Sequence, residues 1–192
     1  MIIYFYGNRG KGKTLSSVIL TDLLNKFYNK QKKKCVIFSN VDMQLKEYDI
    51  TEFFNKEFQN DKLPKIFLFD EIDKFGDARV SNSVVNRFIS YSVSLSRKTN
   101  TDYIFTAQIY KSLDFRLRKF TDFVIAPELN KKTYMLKWDM FNQGSGTSKT
   151  IAFKHPVNDY YKKYDTHYLT LDLIAEYMPK FKELSKQFGS KK

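Results

Sequence analysis

Eight residues near the start of the chain, Gly7-Asn8-Arg9-Gly10-Lys11-Gly12-Lys13-Thr14, constrain the fold more than any other feature. They fit the pattern G-x-x-x-x-G-K-[ST]. The apolar run Ile2–Tyr6 precedes them, and Leu15, Val18, Ile19, Leu23 and Phe27 follow on one predicted helical face. A strand that ends in glycines and turns into a helix can aim successive backbone N–H groups, and the helix N-terminus, at one anion. In such a loop the lysine, Lys13, reaches the β- and γ-phosphates of a nucleotide, and the hydroxyl of Thr14 ligates Mg²⁺. Gly7, Asn8, Arg9, Gly10, Lys11, Gly12, Lys13, Thr14 and Leu15 are therefore the expected binding residues for Mg-ATP.

The run Ile66-Phe67-Leu68-Phe69 ends in Asp70-Glu71, an apolar strand delivering two carboxylates to a sheet edge. Beside a phosphate loop, Asp70 is expected to support Mg²⁺ through water. Glu71 is expected to act as general base on the water that attacks the γ-phosphate. The adjacent pair favours hydrolysis over a small-molecule kinase, which has to suppress it. Asp73 reads as a solvated acid or a helix cap. A further strand, Tyr103–Thr106, ends at Gln108, where a parallel sheet presents ligand-contacting groups. Gln108 either senses the γ-phosphate, positions water or is structural.

The coarse pattern is of short apolar strands alternating with helices, an α/β fold with a mainly parallel sheet. Strands are expected at Ile2–Tyr6, Cys35–Ser39, Ile66–Phe69, Tyr103–Thr106 and Phe123–Ala126. Helices are expected from the loop to about Asn29, over Thr51–Phe58, through Val84–Leu95 and over Ser112–Phe120. Past Pro127 the pattern changes. Thr133–Met140 and Thr150–Phe153 flank Gly144-Ser145-Gly146 and predict a hairpin. A last helix is predicted over Leu171–Phe188. The expected organisation is one domain, residues 1–192, with a core over 1–127 and a hairpin and helical extension over 128–192.

The net charge is +12, which suggests a polyanionic partner. Candidate contacts are Lys30–Lys34, Arg79 in the polar loop Gly76–Asn82, Arg116, Arg118, Lys119 and the Lys131–Lys132 turn. No apolar run approaches the ~18 residues of a membrane span, so no integral membrane segment is expected. The single cysteine, Cys35, makes no internal disulfide and reads as a core residue. His155 and His167 lack metal-ligand spacing. The Tyr160–Tyr164 cluster reads as core packing or subunit contact.

The phosphate loop, Phe67–Glu71, and Ser96-Arg97-Lys98 followed by Tyr103–Gln108 together resemble the FtsK/HerA superfamily of DNA-pumping ATPases. Within it the chain is similar to the genome-packaging ATPases of viruses with double-jelly-roll capsids. It is also similar to the zonula occludens toxin-like assembly proteins of filamentous phages. The resemblance covers Met1–Pro127 well. It implies a RecA-like P-loop fold in which a sensor strand separates the phosphate-loop strand from the acid-bearing strand. It also implies that Gln108 is the γ-phosphate sensor and that Arg97 is a finger completing a neighbour's site in a homo-oligomeric ring. Arg116 and Arg118 are the alternative fingers. The function expected on this basis is Mg-ATP-dependent translocation of double-stranded DNA into a preformed viral capsid. The setting would be the host cytoplasm, with a capsid-vertex or membrane-associated viral protein as possible partner. The alternative is an ATP-binding assembly switch that does not move DNA.

Overall fold

The computed structural model describes residues 1–45, 47–50, 52–54, 62–74, 84–164, 179, 180 and 183. Five strands occur where the sequence places them or within a few residues: β1 (Ile2–Tyr6), β2 (Val36–Ser39), β4 (Lys65–Phe69), β5 (Thr101–Ala107) and β6 (Phe123–Asn130). A short strand, β3 (Glu47–Asp49), precedes β4, and the hairpin strands β7 (Met135–Asn142) and β8 (Thr147–Ala152) follow β6. All eight form one sheet in the order β3-β2-β4-β5-β1-β6-β7-β8. Pairing is parallel from β3 across to β6 and antiparallel from β6 through β8. Strand β5, which ends next to Gln108, lies between β4, which leads to Asp70 and Glu71, and β1, which leads into the glycine-rich loop. The sheet with its flanking helices is the RecA-like α/β arrangement that the resemblance implies.

The period-two alternation of the strands feeds two cores. Tyr4, Phe67, Tyr103 and Phe105 point to one face, where α2 (Val84–Ser94) and α3 (Phe115–Phe120) cover them with Ile89, Val93 and Leu117. Ile3, Phe5, Ile66, Leu68 and Ile104 point to the other, under Leu15, Val18 and Ile19 of α1 (Lys13–Lys30). Aromatic packing dominates the first core, with the rings of Phe53 and Phe67 centred 5.0 Å apart and edge-on.

Several sequence expectations shift. Leu23 and Phe27 share a predicted helical face with Leu15, Val18 and Ile19, yet both are exposed. Thr21 and Asp22 are buried instead, because the segment Asn158–Lys163 straps onto that side. Asp22 accepts hydrogen bonds from Lys26 (2.7 Å) and the Tyr160 hydroxyl (3.0 Å). Tyr160 thus packs against α1, and Tyr161 stacks on Tyr164. The predicted helix over Ser112–Phe120 starts only at Phe115, where the carboxyl of Asp114 accepts the N–H of Arg116 and caps it. Strand β6 runs on through Pro127 to Asn130. Beyond Ile125 one of its sides has no partner strand, and proline is tolerated at such an edge. Cys35 is half-buried and its thiol is pushed up to about 12 by burial. The predicted helix over Thr51–Phe58 is described only at Glu52–Phe54, as a single 3₁₀ turn. The predicted helix over Leu171–Phe188 and the polar loop Gly76–Asn82 lie outside the described residues, apart from Pro179, Lys180 and Glu183. No helix among the described residues is long and apolar enough to cross a membrane.

Candidate nucleotide site

The site is built at the C-terminal ends of β1, β4 and β5, where three adjacent parallel strands stop together. β1 ends at Tyr6, and the chain curls through Gly10 (φ +75°) and Gly12 (φ +87°), left-handed conformations that side chains rarely adopt. Gly12 has a second reason to lack a side chain, since a Cβ there would stand 3.1 Å from the Cβ of Leu129 on β6. The loop's exposed residues, Asn8–Lys11, face outward, and Gly12 opens α1. Lys13 is buried at the foot of the helix and donates to the Asn8 carbonyl at 3.2 Å. Burial lowers its pKa, while the charges of Asp70, Asp73 and Glu71 act to raise it. The acids favour a charged Lys13, and that charge together with the curled backbone N–H groups is what suits a polyanion.

Asp70 sits at the focus of the polar contacts. The Thr14 hydroxyl lies 3.1 and 3.0 Å from its two carboxyl oxygens. The Thr106 hydroxyl donates to Oδ1. Asn40, just past β2, clamps the Asp70 main chain from both sides, accepting its N–H at 2.8 Å and donating to its carbonyl at 3.1 Å. Burial pushes the Asp70 carboxyl up to about 6, opposed by the Thr106 hydrogen bond and reinforced by the charge of Glu71. A threonine hydroxyl against a carboxylate is a hard-oxygen pair that fits Mg²⁺, which binds through one or two such groups plus substrate phosphates. The described residues contain no group of three or more His, Cys, Asp or Glu side chains able to hold a metal ion.

Glu71 has φ +54°, the left-handed region, which turns its side chain away from the strand direction. Its N–H donates to Thr106 Oγ1 at 2.8 Å, and its carboxylate pairs with Lys74 at 2.6 Å. Gln108, at the tip of β5, accepts the Gly7 N–H at 3.2 Å through its carbonyl. The structure thus brings Lys13, Thr14, Asp70, Glu71 and Gln108 to one sheet edge.

It does not bring Arg97 there. Arg97 is exposed in the turn before β5, at the opposite end of that strand. Arg116 is held within its own subunit by a two-pronged pair with buried Asp114, Nε to Oδ1 at 2.9 Å and Nη2 to Oδ2 at 2.7 Å. Arg118 donates to the Leu113 carbonyl at 3.2 Å.

Four contributors escaped the sequence reading. Thr106 and Asn40 organise Asp70, and neither belongs to a contiguous motif. Asp73 is not a solvated acid: it is half-buried, and its Oδ2 accepts the main-chain N–H of Gln108 at 2.8 Å. Lys131, read as a candidate DNA contact, reaches over the loop from the β6–β7 turn, with Nζ 2.9 Å from where a Gly10 Cβ would be. A cleft of about 820 Å³ opens beside the loop between Tyr6, Tyr110, Pro127 and Phe141.

Comparison with known proteins follows this geometry. The fold is similar to the N-terminal domain of zonular occludens toxin from Neisseria meningitidis, with a TM-score of 0.61 at 16% identity, covering 85% of this chain and 98% of that one. It is similar to the genome packaging NTPase B204 from Sulfolobus turreted icosahedral virus 2, solved with ATP-gammaS, with a TM-score of 0.53 at 14% identity, covering 81% and 97%. The DNA-packaging ATPase B204 from Sulfolobus turreted icosahedral virus matches with a TM-score of 0.54 at 11% identity, covering 78% and 95%. At these identities the likeness speaks for the fold alone. Comparison with curated proteins finds no match. Residues 3–128 match the ATPase family associated with various cellular activities (AAA), and the chain belongs to that family of P-loop ATPases.

Proposed function

We propose that the protein is a Mg-ATP-driven translocase of double-stranded DNA that works as a homo-oligomeric ring and packages a viral genome into a preformed capsid. The observation that carries this reading is the separation of the site's parts. Lys13, Thr14, Asp70, Glu71 and Gln108 meet at one end of the parallel sheet, while exposed Arg97 stands at the other. The seven residues of β5 span roughly 20 Å at about 3.3 Å each. Arg97 therefore serves a neighbour's nucleotide or none. Arg116 is already neutralised by Asp114 in its own subunit, which favours Arg97 as the finger.

In this reading the loop N–H groups and Lys13 bind and orient the phosphates. Thr14 and Asp70 would hold Mg²⁺, which would offset negative charge on the phosphates. Glu71 orients the attacking water and takes up its proton. Its ion pair with Lys74 has to loosen for that, because a carboxylate bonded to an ammonium is a poor base. Gln108 touches the γ-phosphate side, and Arg97 of the adjacent subunit offsets transition-state charge. The surplus of +12 and the exposed Lys30–Lys34 supply a sequence-independent grip on backbone phosphates. The setting would be the host cytoplasm, at a capsid vertex or beside a membrane-associated viral protein. The FtsK/HerA affiliation belongs to the same proposal.

The test is ATP turnover with and without double-stranded DNA at low and moderate salt, with Glu71→Gln and Lys13→Ala as controls. DNA stimulation that salt removes, with both variants inactive, supports the motor. Tight ATP binding with turnover indifferent to DNA overturns it in favour of an assembly switch.

A further inference from the structure

Three carboxylates follow β4, and the reaction as proposed uses only Asp70 and Glu71. Asp73 faces the same site without a part in it. An acid that merely opens a surface turn is solvated or caps its own turn. Asp73 instead reaches across to the neighbouring strand, where Oδ2 accepts the Gln108 N–H at 2.8 Å. Its Oδ1 is buried and has no hydrogen-bond partner among the described residues. The Gln108 carbonyl in turn accepts the N–H of Gly7, the first glycine of the phosphate loop. A continuous chain of hydrogen bonds therefore runs from the turn after β4, through the tip of β5, to the loop that ends β1. β5 stops at Ala107, so the Gln108 N–H lies beyond the last strand residue, and the Asp73 carboxylate takes the place of a ladder partner. Asp73 also stands near enough to Lys13 for its charge to favour the ammonium, which places it toward the phosphates rather than toward solvent.

We propose that Asp73 is a positioning residue that sets the tip of β5 against the phosphate loop, so that the Gln108 side chain meets the γ-phosphate. The inference rests on the reading of Gln108 as the γ-phosphate sensor. Asp73 acts through Gln108, whose main-chain N–H it holds. Its loss therefore lowers the rate of hydrolysis more than it weakens nucleotide binding.

The experiment uses the full chain and measures kcat and KM for ATP in Asp73→Ala, Asp73→Asn, Gln108→Ala and the Asp73→Ala/Gln108→Ala double variant. Binding of a non-hydrolysable ATP analogue and a thermal melt accompany each. Asp73→Ala should lose about 10-fold to 100-fold in kcat with KM within about 3-fold of wild type. Asp73→Asn keeps an oxygen that accepts the N–H and should stay within about 3-fold in kcat. In the Gln108→Ala background, removing Asp73 should cost nothing further, because a residue acting through Gln108 has nothing left to position. A wild-type kcat in Asp73→Ala beside a slow Gln108→Ala overturns the inference alone. So does a multiplicative loss in the double variant, or an Asp73→Asn as slow as Asp73→Ala, which would make charge the cause. Gln108→Ala at the wild-type rate overturns the sensor reading, and the inference with it. If Asp73→Ala fails to fold, Asp73→Asn still decides: near-wild-type kcat supports positioning, and a loss equal to that of Gln108→Ala overturns it.

Discussion

The two ends of the parallel sheet differ in kind. At the C-terminal end, side chains from β1, β4, β5 and the segment after β2 are tied to one another: Thr14 and Thr106 to Asp70, Asn40 to the Asp70 main chain, Asp73 to Gln108. At the N-terminal end of the same strands the exposed groups include Lys32, Lys33 and Lys34 before β2, Lys62 before β4, Arg97 and Lys98 before β5, and Asp122 before β6. One end is cross-linked and partly desolvated, which fixes donors and acceptors where charge will develop. The other has its own ties, the N-terminus to Asp102 at 2.9 Å and the Ile2 N–H to Asp122 at 2.7 Å, but it also carries exposed cations, which suit contact with another molecule. In the proposed ring, a single sheet would separate what a subunit does for itself from what it offers a neighbour or a polyanion.

The largest expected effect tests the second end. Arg97→Ala should lower DNA-stimulated turnover by about 10³-fold or more, the range of an arginine finger, while ATP affinity stays within about 3-fold. Arg118→Ala in the same assay should leave turnover within a few-fold; a collapse there, with Arg97→Ala active, would move the finger to α3. The first end is tested by Glu71→Gln, expected to cost about 10²–10⁴-fold in kcat, the range of general-base catalysis, with analogue binding retained. If Glu71→Gln hydrolyses normally, the acid end has been misassigned.

Smaller effects sharpen the contrast by asking what holds the loop. Trp138 of β7 lies between Phe5 (centroids 5.4 Å apart) and Phe153 (4.9 Å) and donates to the hydroxyl of fully buried Ser16, one turn into α1, at 2.9 Å. Trp138→Phe keeps the ring packing and removes the donor. It should lower stability by about 2 kcal/mol in chemical denaturation. An unchanged midpoint would detach the hairpin from the phosphate end.

The smallest effect lies at neither end. Glu47 of β3 accepts the Met43 N–H at 2.6 Å, and its other oxygen is buried without a hydrogen-bond partner among the described residues. Burial raises its carboxyl to about 7, opposed by the Met43 bond and reinforced by Asp42. The folded-state pKa lies above the unfolded value, so the folded chain holds more protons between about 4.5 and 7. Stability from this group therefore falls as pH rises through that window and is level above it. Glu47→Gln should remove the slope and gain on the order of 1 kcal/mol at pH 8, a figure already reduced for a half-exposed group. Equal melting curves at pH 4.5 and 8 in both proteins would refute the shift.

The legible parts of this site are those written contiguously. Gly7–Thr14 and Asp70–Glu71 each carry their chemistry in one stretch, and the strand-to-helix context around the loop confirms it. Gln108 was legible as a strand tip but not as a partner of Asp73, because that hydrogen bond spans 35 residues of sequence. Thr106 looked like one polar residue in an apolar strand; only the β4–β5 pairing sets it beside Asp70. Leu23 and Phe27 misled because helical periodicity records spacing and not what packs on the helix, here the Asn158–Lys163 strap on the Asp22 side. Lys131 reads as a basic turn residue until the β6–β7 hairpin folds it over Gly10.

The most direct test of a site divided between subunits is to mix Arg97→Ala protein with Glu71→Gln protein and measure DNA-stimulated ATP turnover against the mixing ratio. Each variant alone is expected to be nearly inactive. In a mixed ring, an Arg97→Ala subunit keeps its own Glu71 and receives Arg97 from a Glu71→Gln neighbour, so activity should appear and peak near equal proportions. Mixtures that stay as inactive as the separate variants, while co-assembly is verified by pull-down of a tagged subunit, would contradict the account.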